Sequence, residues 1–311
     1  MTTTAILIRS NGDAERLGYV MERIGRQNVA DVYVVLDCTN DGATKREAIT
    51  NLLPDANVID LTKEFIVSSG LHFFNRCTWQ CGDYFYYAAY AQQPGYKFYW
   101  LIDDDVAFNV DTEAFLKESE QIDTDLFGYE VGHRKANWGW HKTMCAQYPD
   151  EVYGMLYPIS RLSRNAVEFL FKARTFYDSG VEAKVYETSK QLIPLHANDE
   201  AFTATTLKNN GFSTQSLYKE FRSQFLGFFS TGLPILYEEL SHAHTRNKII
   251  HPVRSTSYAR NKYIEIYKRS GTKHILRRAE EITGSCGPEI WAECFDMTVE
   301  DLRAKARENE K

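Results

Sequence analysis

The chain has 311 residues, of which 43% are hydrophobic and 25% are charged, and its formal net charge is −6. This composition is typical of a globular protein and excludes a disordered chain, and the negative balance argues against a protein that coats duplex nucleic acid. The longest run without a charged residue, 223–237, has 15 residues and contains two glycines and a proline. It is too short to span a membrane, which takes about 20 apolar residues.

The N-terminal residues and the cysteines indicate the cellular compartment of the protein. The N-terminal residues (MTTTAILIRSNGD) lack the basic start of a secretory signal. Six cysteines are scattered along the chain without the tight paired spacing of a structural zinc site. We therefore expect reduced thiols and a cytoplasmic protein.

The first hundred residues alternate between strand and helix patterns. Short apolar runs predict strands at 4–9 (TAILIR), 32–36 (VYVVL), 58–61 and 96–102 (YKFYWLI). Amphipathic or tyrosine-rich segments between them predict helices after Asp13, over 44–53 and over Asp83–Gln92. Strand and helix in repetition predict an α/β fold with a mostly parallel sheet that is flanked by helices.

The rest of the chain is less regular. Strands are predicted at 126–130 and 249–253, and helices from 163 and over 199–210. From 258 onward the pattern is helical, and Thr298 with Asp301 resembles a capping box. We expect one α/β domain over 1–255, with a nucleotide-binding half over 1–108 and an acceptor-binding half over 109–255. Residues 256–311 are expected to form a helical C-terminal extension.

Acidic residues follow the apolar strand at 96–102. Three adjacent carboxylates, Asp103, Asp104 and Asp105, would repel each other if they were buried without a partner. A divalent cation would offset that charge, because hard cations prefer carboxylate oxygens. In extended backbone, Asp103 and Asp105 would point to one side and Asp104 to the other.

Residues 96–109 (YKFYWLIDDDVAFN) resemble the D-x-D region of GT-A fold glycosyltransferases, which move a sugar from a nucleotide diphosphate donor to an acceptor hydroxyl. The resemblance implies a GT-A (Rossmann-like) sheet and a UDP-sugar donor. It implies that Asp105 binds Mn²⁺ or Mg²⁺, that Asp103 holds the ribose or the metal, and that Asp104 touches the donor sugar or ribose.

The same resemblance assigns roles near the ends of other predicted elements. Arg9 and Asp37, which end the first two strands, lie where the family binds the nucleoside. Asp83 is placed to accept a hydrogen bond from the uracil or ribose, and Arg76 to face phosphate. Each of these four residues could also be a cap or a surface residue.

Residues 196–202 (HANDEAF) open a predicted helix, and in inverting members an acidic pair at such a position supplies the general base. Here the pair is Asp199 and Glu200, and either could be the base, with Asp199 the first choice. His251 resembles the third metal ligand of metal-dependent members. Arg254 resembles a residue that steadies the leaving diphosphate.

Further patterns concern the acceptor and the membrane. Trp138, Trp140 and His141 form an aromatic loop suited to stacking on a sugar. Basic and aromatic residues alternate over 254–278, which would allow peripheral contact with the inner face of a membrane.

Together with the charge balance, the resemblance implies an inverting, metal-dependent hexosyltransferase that acts on a surface polysaccharide or a lipid-linked glycan, with no nucleic-acid partner. One alternative is a nucleotidyltransferase that makes sugar nucleotides, although residues 9–12 (RSNG) are a poor triphosphate loop. The other is a non-catalytic carbohydrate-binding protein.

Overall fold

The structure is a computed structural model that describes residues 2–25, 27–180, 196–225, 228, 234–258 and 261–262, together with 292, 297–298, 300–301 and 304. Its strands are β1 Thr4–Ser10, β2 Asp31–Asp37, β3 Asn57–Leu61, β4 Phe98–Asp103, β5 Ala107–Asn109, β6 Leu126–His133, β7 Tyr153–Ser163, β8 Thr214–Ser216, β9 Ile235–Leu236, β10 Lys248–Ile250 and β11 Val253–Arg254.

Helices connect most of these strands. They are α1 Ala14–Ile24, α2 Gly42–Leu52, α3 Lys63–Ser68, α4 Cys77–Gln80, α5 Asp83–Gln92, α6 Thr112–Glu120, α7 His141–Met144, α8 Arg164–Gly180, α9 Asp199–Asn209 and α10 Leu217–Glu220. Two 3₁₀ turns follow at Tyr237–Ser241 and Ala243–Thr245. Caps set two of the starts: the side chain of Asp13 accepts from the backbone of Arg16 before α1, and Asn198 accepts from Ala201 before α9.

The described chain divides into two compact units. The first comprises Met1–Asp104 and Thr112–Arg222, and the second comprises Asp105–Asp111 and Ser223–Lys311. The division therefore falls inside the predicted 1–255 domain, and the predicted boundary near residue 255 lies within the second unit.

The first unit is built on a seven-stranded sheet with the order β3-β2-β1-β4-β7-β6-β8. All neighbours are parallel except β7, which runs antiparallel to both β4 and β6. The predicted α/β fold class, with a mostly parallel sheet and flanking helices, is confirmed. The carboxyl ends of β1, β2 and β4 meet at one edge, where sheets of this kind bind ligands.

Both faces of the sheet are covered, which explains why its strands are apolar runs. On one face, Leu7 and Leu101 belong to a core cluster with α5, α8 and α9. On the other face, Trp100 packs against Phe115 of α6. Helix α5 is buried over most of its length, from Asp83 to Ala89, which is why its sequence shows no polar face.

The second unit contains two short two-stranded sheets. Strand β5 pairs with β10 antiparallel, and β9 pairs with β11 in parallel. The predicted strand at 249–253 is therefore two short strands, separated by His251 and a cis-Pro252.

Most of the predicted helical extension lies outside the described residues, including nearly all of the basic segment 254–278. The predicted capping box is present, because Thr298 and Asp301 each accept from the other's backbone N–H. Within the part of the chain that is described, no helix is long and apolar enough to cross a bilayer.

Candidate functional site

Arg9 and Asp103 lie at the carboxyl ends of adjacent parallel strands and stand opposite each other in the register of β1 and β4. The Arg9 Nη1 atom lies 3.3 Å from Asp103 Oδ1 and 3.7 Å from Asp199 Oδ2. Arg9 thus brings together the end of β4 and the start of α9, which are predicted site elements nearly a hundred residues apart in the sequence.

The guanidinium of Arg9 is fixed by further contacts. Its Nη2 atom donates to the carbonyls of Thr78 (2.8 Å) and Trp79 (3.0 Å), and its Cζ atom lies 5.2 Å from the centre of the Phe85 ring. Although burial opposes it, attraction by the nearby aspartates raises the pKa of Arg9. Arg9 is therefore a permanent positive charge at this edge of the sheet.

Asp199 is buried at the first position of α9. Its Oδ2 atom accepts from the backbone N–H of Gly82 at 2.8 Å, and its Oδ1 atom accepts from the N–H of Glu200 at 2.7 Å. A Cβ atom at Gly82 would lie 2.5 Å from both the Arg9 guanidinium and this carboxylate. Glycine at position 82 allows this close approach, and sequence reasoning missed its role.

The two carboxylates of the predicted acidic pair have different surroundings. Burial raises the pKa of Asp199 well above its ordinary value. The attraction of Arg9, which pairs with the Asp199 carboxylate, opposes this shift. Glu200 is partly exposed, and burial raises its pKa to about 7, against the hydrogen bond of the Asn198 side chain and the attraction of Arg134. A partly exposed carboxylate with a pKa near 7 is better suited to general base catalysis than a buried one that is bound on both oxygens, which favours Glu200 over Asp199.

Asp104 is buried beside the start of α1. Its carboxylate accepts from the Ser10 hydroxyl at 2.7 Å and pairs with Arg16 at 2.9 Å. Its backbone N–H donates to the carbonyl of Arg9. Neither Ser10 nor Arg16 was predicted as a site residue, because the contacts depend on how the loop after β1 folds back.

Asp37 lies at the carboxyl end of β2. Its carboxylate accepts from Thr39 and, at 2.8 Å, from the hydroxyl of Thr78. Thr78 therefore contacts Asp37 through its side chain and Arg9 through its carbonyl. This bridge could not be predicted from the sequence, because a backbone carbonyl is present at every position.

Arg76 and Trp79 lie at the surface beside Thr78. Trp79 is 52% exposed, and the Arg76 guanidinium lies 5.4 Å from its ring centre. An exposed indole next to a cation provides a flat face on which a nucleobase could stack.

Asp83 lies away from any open surface. Its side chain is 0% exposed, and its Oδ2 atom pairs with Arg174 Nε at 2.7 Å and accepts from the Tyr87 hydroxyl. The expectation that Asp83 contacts the base or ribose has no support in this geometry, because Arg174 occupies its carboxylate. We leave Asp83 out of the proposed binding site.

The second unit holds the remaining predicted site residues, Asp105, His251 and Arg254. The His251 Nε2 atom lies 3.5 Å from Asp105 Oδ1, and the Arg254 guanidinium pairs with Asp105 Oδ2. The carbonyl of Asp105 accepts from the N–H of Val253. His251 stacks on Phe228 with ring centres 5.1 Å apart.

The acidic triplet differs from its prediction in two ways. Strand β4 ends at Asp103 and the next two residues form a turn, so the predicted strand-like alternation of the three side chains is wrong. Each carboxylate also has an arginine partner, which the sequence prediction did not include. The pairs are Asp103 with Arg9, Asp104 with Arg16, and Asp105 with Arg254.

These contacts limit how the predicted cation would be held. Asp105 and His251 provide a carboxylate oxygen and an imidazole nitrogen side by side, a combination that suits Mn²⁺. Asp103, the other predicted ligand, contacts Arg9. Among the residues that the structure describes, no three His, Cys, Asp or Glu side chains come together as metal ligands, so the predicted three-residue ligand set is not assembled.

The predicted acceptor loop lies between β6 and α7. Trp138 packs over Gly154 of β7, where a Cβ atom would lie 2.4 Å from the ring, and Arg134 lies 5.5 Å from the ring centre. Trp138 and Trp140 are both partly exposed. Strand β7 thus supports the loop, and some indole surface remains accessible.

Solved structures that match the chain include mouse xyloside xylosyltransferase 1 in its apo form, with 11% identity, 70% of this chain and 84% of that chain covered, and a TM-score of 0.41. The 4-diphosphocytidyl-2C-methyl-D-erythritol synthase of Anaerococcus prevotii matches with 11% identity, 70% and 86% covered, and a TM-score of 0.39. Glucosyl-3-phosphoglycerate synthase of Mycobacterium tuberculosis, solved with Mn²⁺, UDP and glucosyl-3-phosphoglycerate, matches with 15% identity, 58% and 68% covered, and a TM-score of 0.34.

No protein-family model matches the chain, and no curated protein matches it. Nucleotide-sugar transferases are among the matched structures, as the sequence resemblance led us to expect. Because these TM-scores are low, the fold is described from the strand order of the chain itself.

Proposed function

We propose that the chain is a glycosyltransferase that moves a sugar, a hexose in the first instance, from a UDP-sugar to the hydroxyl of a glycan or lipid-linked acceptor, with inversion. One observation carries the proposal. Glu200, a partly exposed carboxylate with a pKa raised to about 7, lies near Asp103 and directly follows Asp199, which pairs with Arg9, at the carboxyl ends of parallel strands.

In the proposed reaction, Glu200 removes the proton from the acceptor hydroxyl as its oxygen attacks the anomeric carbon. A bond forms between the acceptor oxygen and that carbon, and the bond from the carbon to the diphosphate oxygen breaks. UDP leaves with the electron pair, and the proton stays on Glu200. Asp199 takes a positioning role, because its carboxylate is already bound by Gly82 and Arg9.

The donor is proposed to lie over the ends of β1, β2 and β4. Asp37 and Asp103 offer carboxylate oxygens to ribose hydroxyls, and Asp104 faces the donor sugar or ribose. Arg9 contributes fixed positive charge, and Arg76 and Trp79 offer a cation for phosphate and an indole face for the base. The strand ends support this placement, since sheets of this type bind ligands there.

The predicted Mn²⁺ or Mg²⁺ is a separate proposal that concerns the second unit. Asp105 and His251 would hold the cation, which would supply positive charge to a diphosphate. Arg254 is proposed to steady the leaving diphosphate. Because Arg254 already pairs with the Asp105 carboxylate, the reaction proposed for Glu200 does not involve the cation.

The nucleotidyltransferase alternative needs a basic, glycine-rich loop for a triphosphate. The loop after β1 instead contains Asp13, which caps α1, and its nearby cation, Arg16, is bound to Asp104. These contacts favour glycosyl transfer. A pKa of about 7 at Glu200 suits a general base, which a carbohydrate-binding protein does not need.

The acceptor is proposed to approach the aromatic loop. Trp138 and Trp140 would stack on a sugar ring, as indoles do on the C–H faces of pyranoses. Lipid-linked acceptors and contact with a membrane remain proposals that rest on the basic sequence pattern at 254–278.

The test is a panel of nucleotide sugars, each with and without Mn²⁺, read first as a shift in melting temperature. A ligand that binds only the folded state raises it. We expect a UDP-sugar to do so and to be hydrolysed to UDP. Release of pyrophosphate from a nucleoside triphosphate would instead establish the nucleotidyltransferase, and glycan binding without turnover would establish a lectin.

A further inference from the structure

A buried cluster of charged and polar side chains lies directly behind the start of α9. It consists of Asp83 of α5, Arg174 and Asp178 of α8, and His196, and we name these four residues the buried clasp. Arg174 is 0% exposed, and the other three are also buried. Removing charged groups from water is costly, and the proposed reaction uses none of these residues.

Arg174 joins two segments of the chain. Its Nε atom pairs with Asp83 at 2.7 Å, its Nη1 atom donates to the carbonyl of Ala197 at 2.9 Å, and its Cζ atom lies 3.7 Å from the centre of the Phe202 ring. Asp83 follows Gly82, whose N–H binds Asp199. Arg174 therefore connects the residues that precede α9 to the residue that begins α5.

His196 forms a second connection between the same segments. Its Nε2 atom lies 3.0 Å from Asp178 Oδ1, and its carbonyl accepts from the Gln80 side chain at 2.8 Å. Asp178 also accepts from the backbone N–H of His72 and from the Tyr84 hydroxyl, both at 2.8 Å. The loop before α9 is thus held through both the side chain and the backbone of His196.

Asp178, His196 and Cys81 form a line of three reactive residue types, because the Cys81 Sγ atom lies 3.6 Å from His196 Nδ1. Such a line could suggest a thiol nucleophile. However, Cys81 is 0% exposed and burial raises the pKa of its thiol well above the ordinary value. Burial also lowers the pKa of His196 despite Asp178. The line therefore holds structure and performs no chemistry.

We propose that the buried clasp positions the Glu200 carboxylate, and that Arg174 is its central positioning residue. This inference rests on the proposed function of Glu200. Arg174 fixes the Ala197 carbonyl, Tyr177 accepts from the Ala197 N–H at 3.0 Å, and Asn198 caps the helix. These three bonds set the first turn of α9.

Charged groups on three other elements face Glu200 or its neighbour. They are Arg134 after β6, Asp103 at the end of β4, and Arg9 at the end of β1, which acts through Asp199. Because each belongs to a different element, a small rotation of the first turn of α9 would change the distances from the Glu200 carboxylate to these charged groups. The clasp prevents that rotation.

The test is Arg174→Lys, which keeps the positive charge but cannot donate to Asp83 and Ala197 with the same fork geometry. We expect UDP affinity to stay within about twofold and kcat to fall about tenfold or more. The midpoint of the pH dependence of kcat should move below 7, because a less fixed Glu200 gains access to water. Lys172→Ala, at an exposed position of the same helix, is the matched control.

A merely structural role for Arg174 predicts a lower melting temperature with unchanged kcat and pH midpoint per folded molecule, and that result would overturn the proposal. Tyr177→Phe removes one hydroxyl that contacts Ala197 and decides the question if Arg174→Lys does not fold. We expect it to shift kcat and the midpoint in the same direction by a smaller amount. Wild-type values of both would count against the clasp.

A measurement without substrate separates this inference from the proposed function. Carboxyl ¹³C NMR of glutamate-labelled protein, with Glu200→Gln to assign the signal, gives the pKa of Glu200 directly. We expect a value near 7 in the wild type and a lower one in Arg174→Lys. An equal pKa in both would overturn the clasp, whereas an inactive wild type with the expected shift would overturn only the proposed function.

Discussion

The two units hold their aspartates in different ways. In the first unit, Arg9 contacts Asp103 and Asp199 and is also bound by two backbone carbonyls and the Phe85 ring. In the second unit, Arg254 contacts Asp105, the neighbouring carbonyl of Val253 and the half-exposed ring of Tyr258. Arg9 thus joins β4, α4 and α9 in what we call the fixed frame, whereas Arg254 contacts Asp105 and two residues of its own segment.

The largest effect is expected at the reacting carboxylate of the fixed frame. Glu200→Gln keeps the size of the side chain but cannot accept a proton, so kcat should fall about 10²- to 10⁴-fold while UDP affinity is retained. Glu151→Gln, at an exposed position two residues before β7, is the control. A kcat within threefold of the wild type would remove Glu200 from the mechanism.

The pH dependence follows from the same residue. A general base must be deprotonated to act, so kcat should rise with pH through the pKa of Glu200, about 7, and level off above it. A pH series of initial rates at saturating donor measures this. A profile that is flat between pH 5.5 and 8.5 would contradict the assignment.

Stability should separate the two arginines. Arg9→Ala removes both ion pairs of a nearly buried guanidinium and leaves its carboxylates without it, so the free energy of unfolding should fall by about 3–5 kcal/mol. Arg254→Ala also leaves a buried carboxylate, Asp105, without its arginine, but it removes one ion pair and not two, so the loss should be smaller. Urea unfolding of both variants checks this, and an equal or larger loss for Arg254→Ala would contradict the comparison.

Nucleotide binding should be affected moderately by the exposed indole beside the fixed frame. Trp79→Ala removes a stacking face and should weaken UDP binding about tenfold without lowering stability. Phe176→Ala, another exposed aromatic in the first unit, is the matched control. If both variants bind UDP equally well by calorimetry, the base does not stack on Trp79.

The smallest expected effect concerns the cation. Since Arg254 occupies the carboxylate of Asp105, Arg254→Ala should tighten binding of Mn²⁺ alone by about threefold to tenfold, as expected for loss of one competing ion pair. Asp105→Asn should weaken it. Titration followed by the EPR signal of free Mn²⁺ measures both, and unchanged affinity in both variants would mean that Asp105 does not bind the cation.

Much of the sheet could be predicted from the sequence, because β1 to β4 are apolar runs between helices. Strand β7 could not, since Pro158, Ser160 and Arg161 interrupt its apolar pattern. The polar residues have partners that are distant in the sequence. Arg161 is fully buried and donates to the carbonyl of Ser119, and Ser160 contacts Tyr86. Such partners cannot be read from local sequence.

The candidate site shows the same limit. The sequence predicted Arg9, Asp103 and the pair at the start of α9 as site residues, because acidic and basic residues at element ends are conspicuous. It also predicted Asp83, whose partner in the structure, Arg174, is 91 residues away. It also could not separate Asp199 from Glu200, since their difference depends on how deeply each is buried.

The reversal of β7 has a consequence for the helix that follows it. A helix after a strand parallel to β4 would start at the ligand edge of the sheet and run away from it. Because β7 ends beside the first residue of β4, α8 starts at the far edge and returns about 25 Å toward the edge where β1, β2 and β4 end. The last turns of α8, and with them Arg174 and Asp178, therefore lie beside the start of α9. One strand with inverted polarity thus places these two buried side chains behind α9.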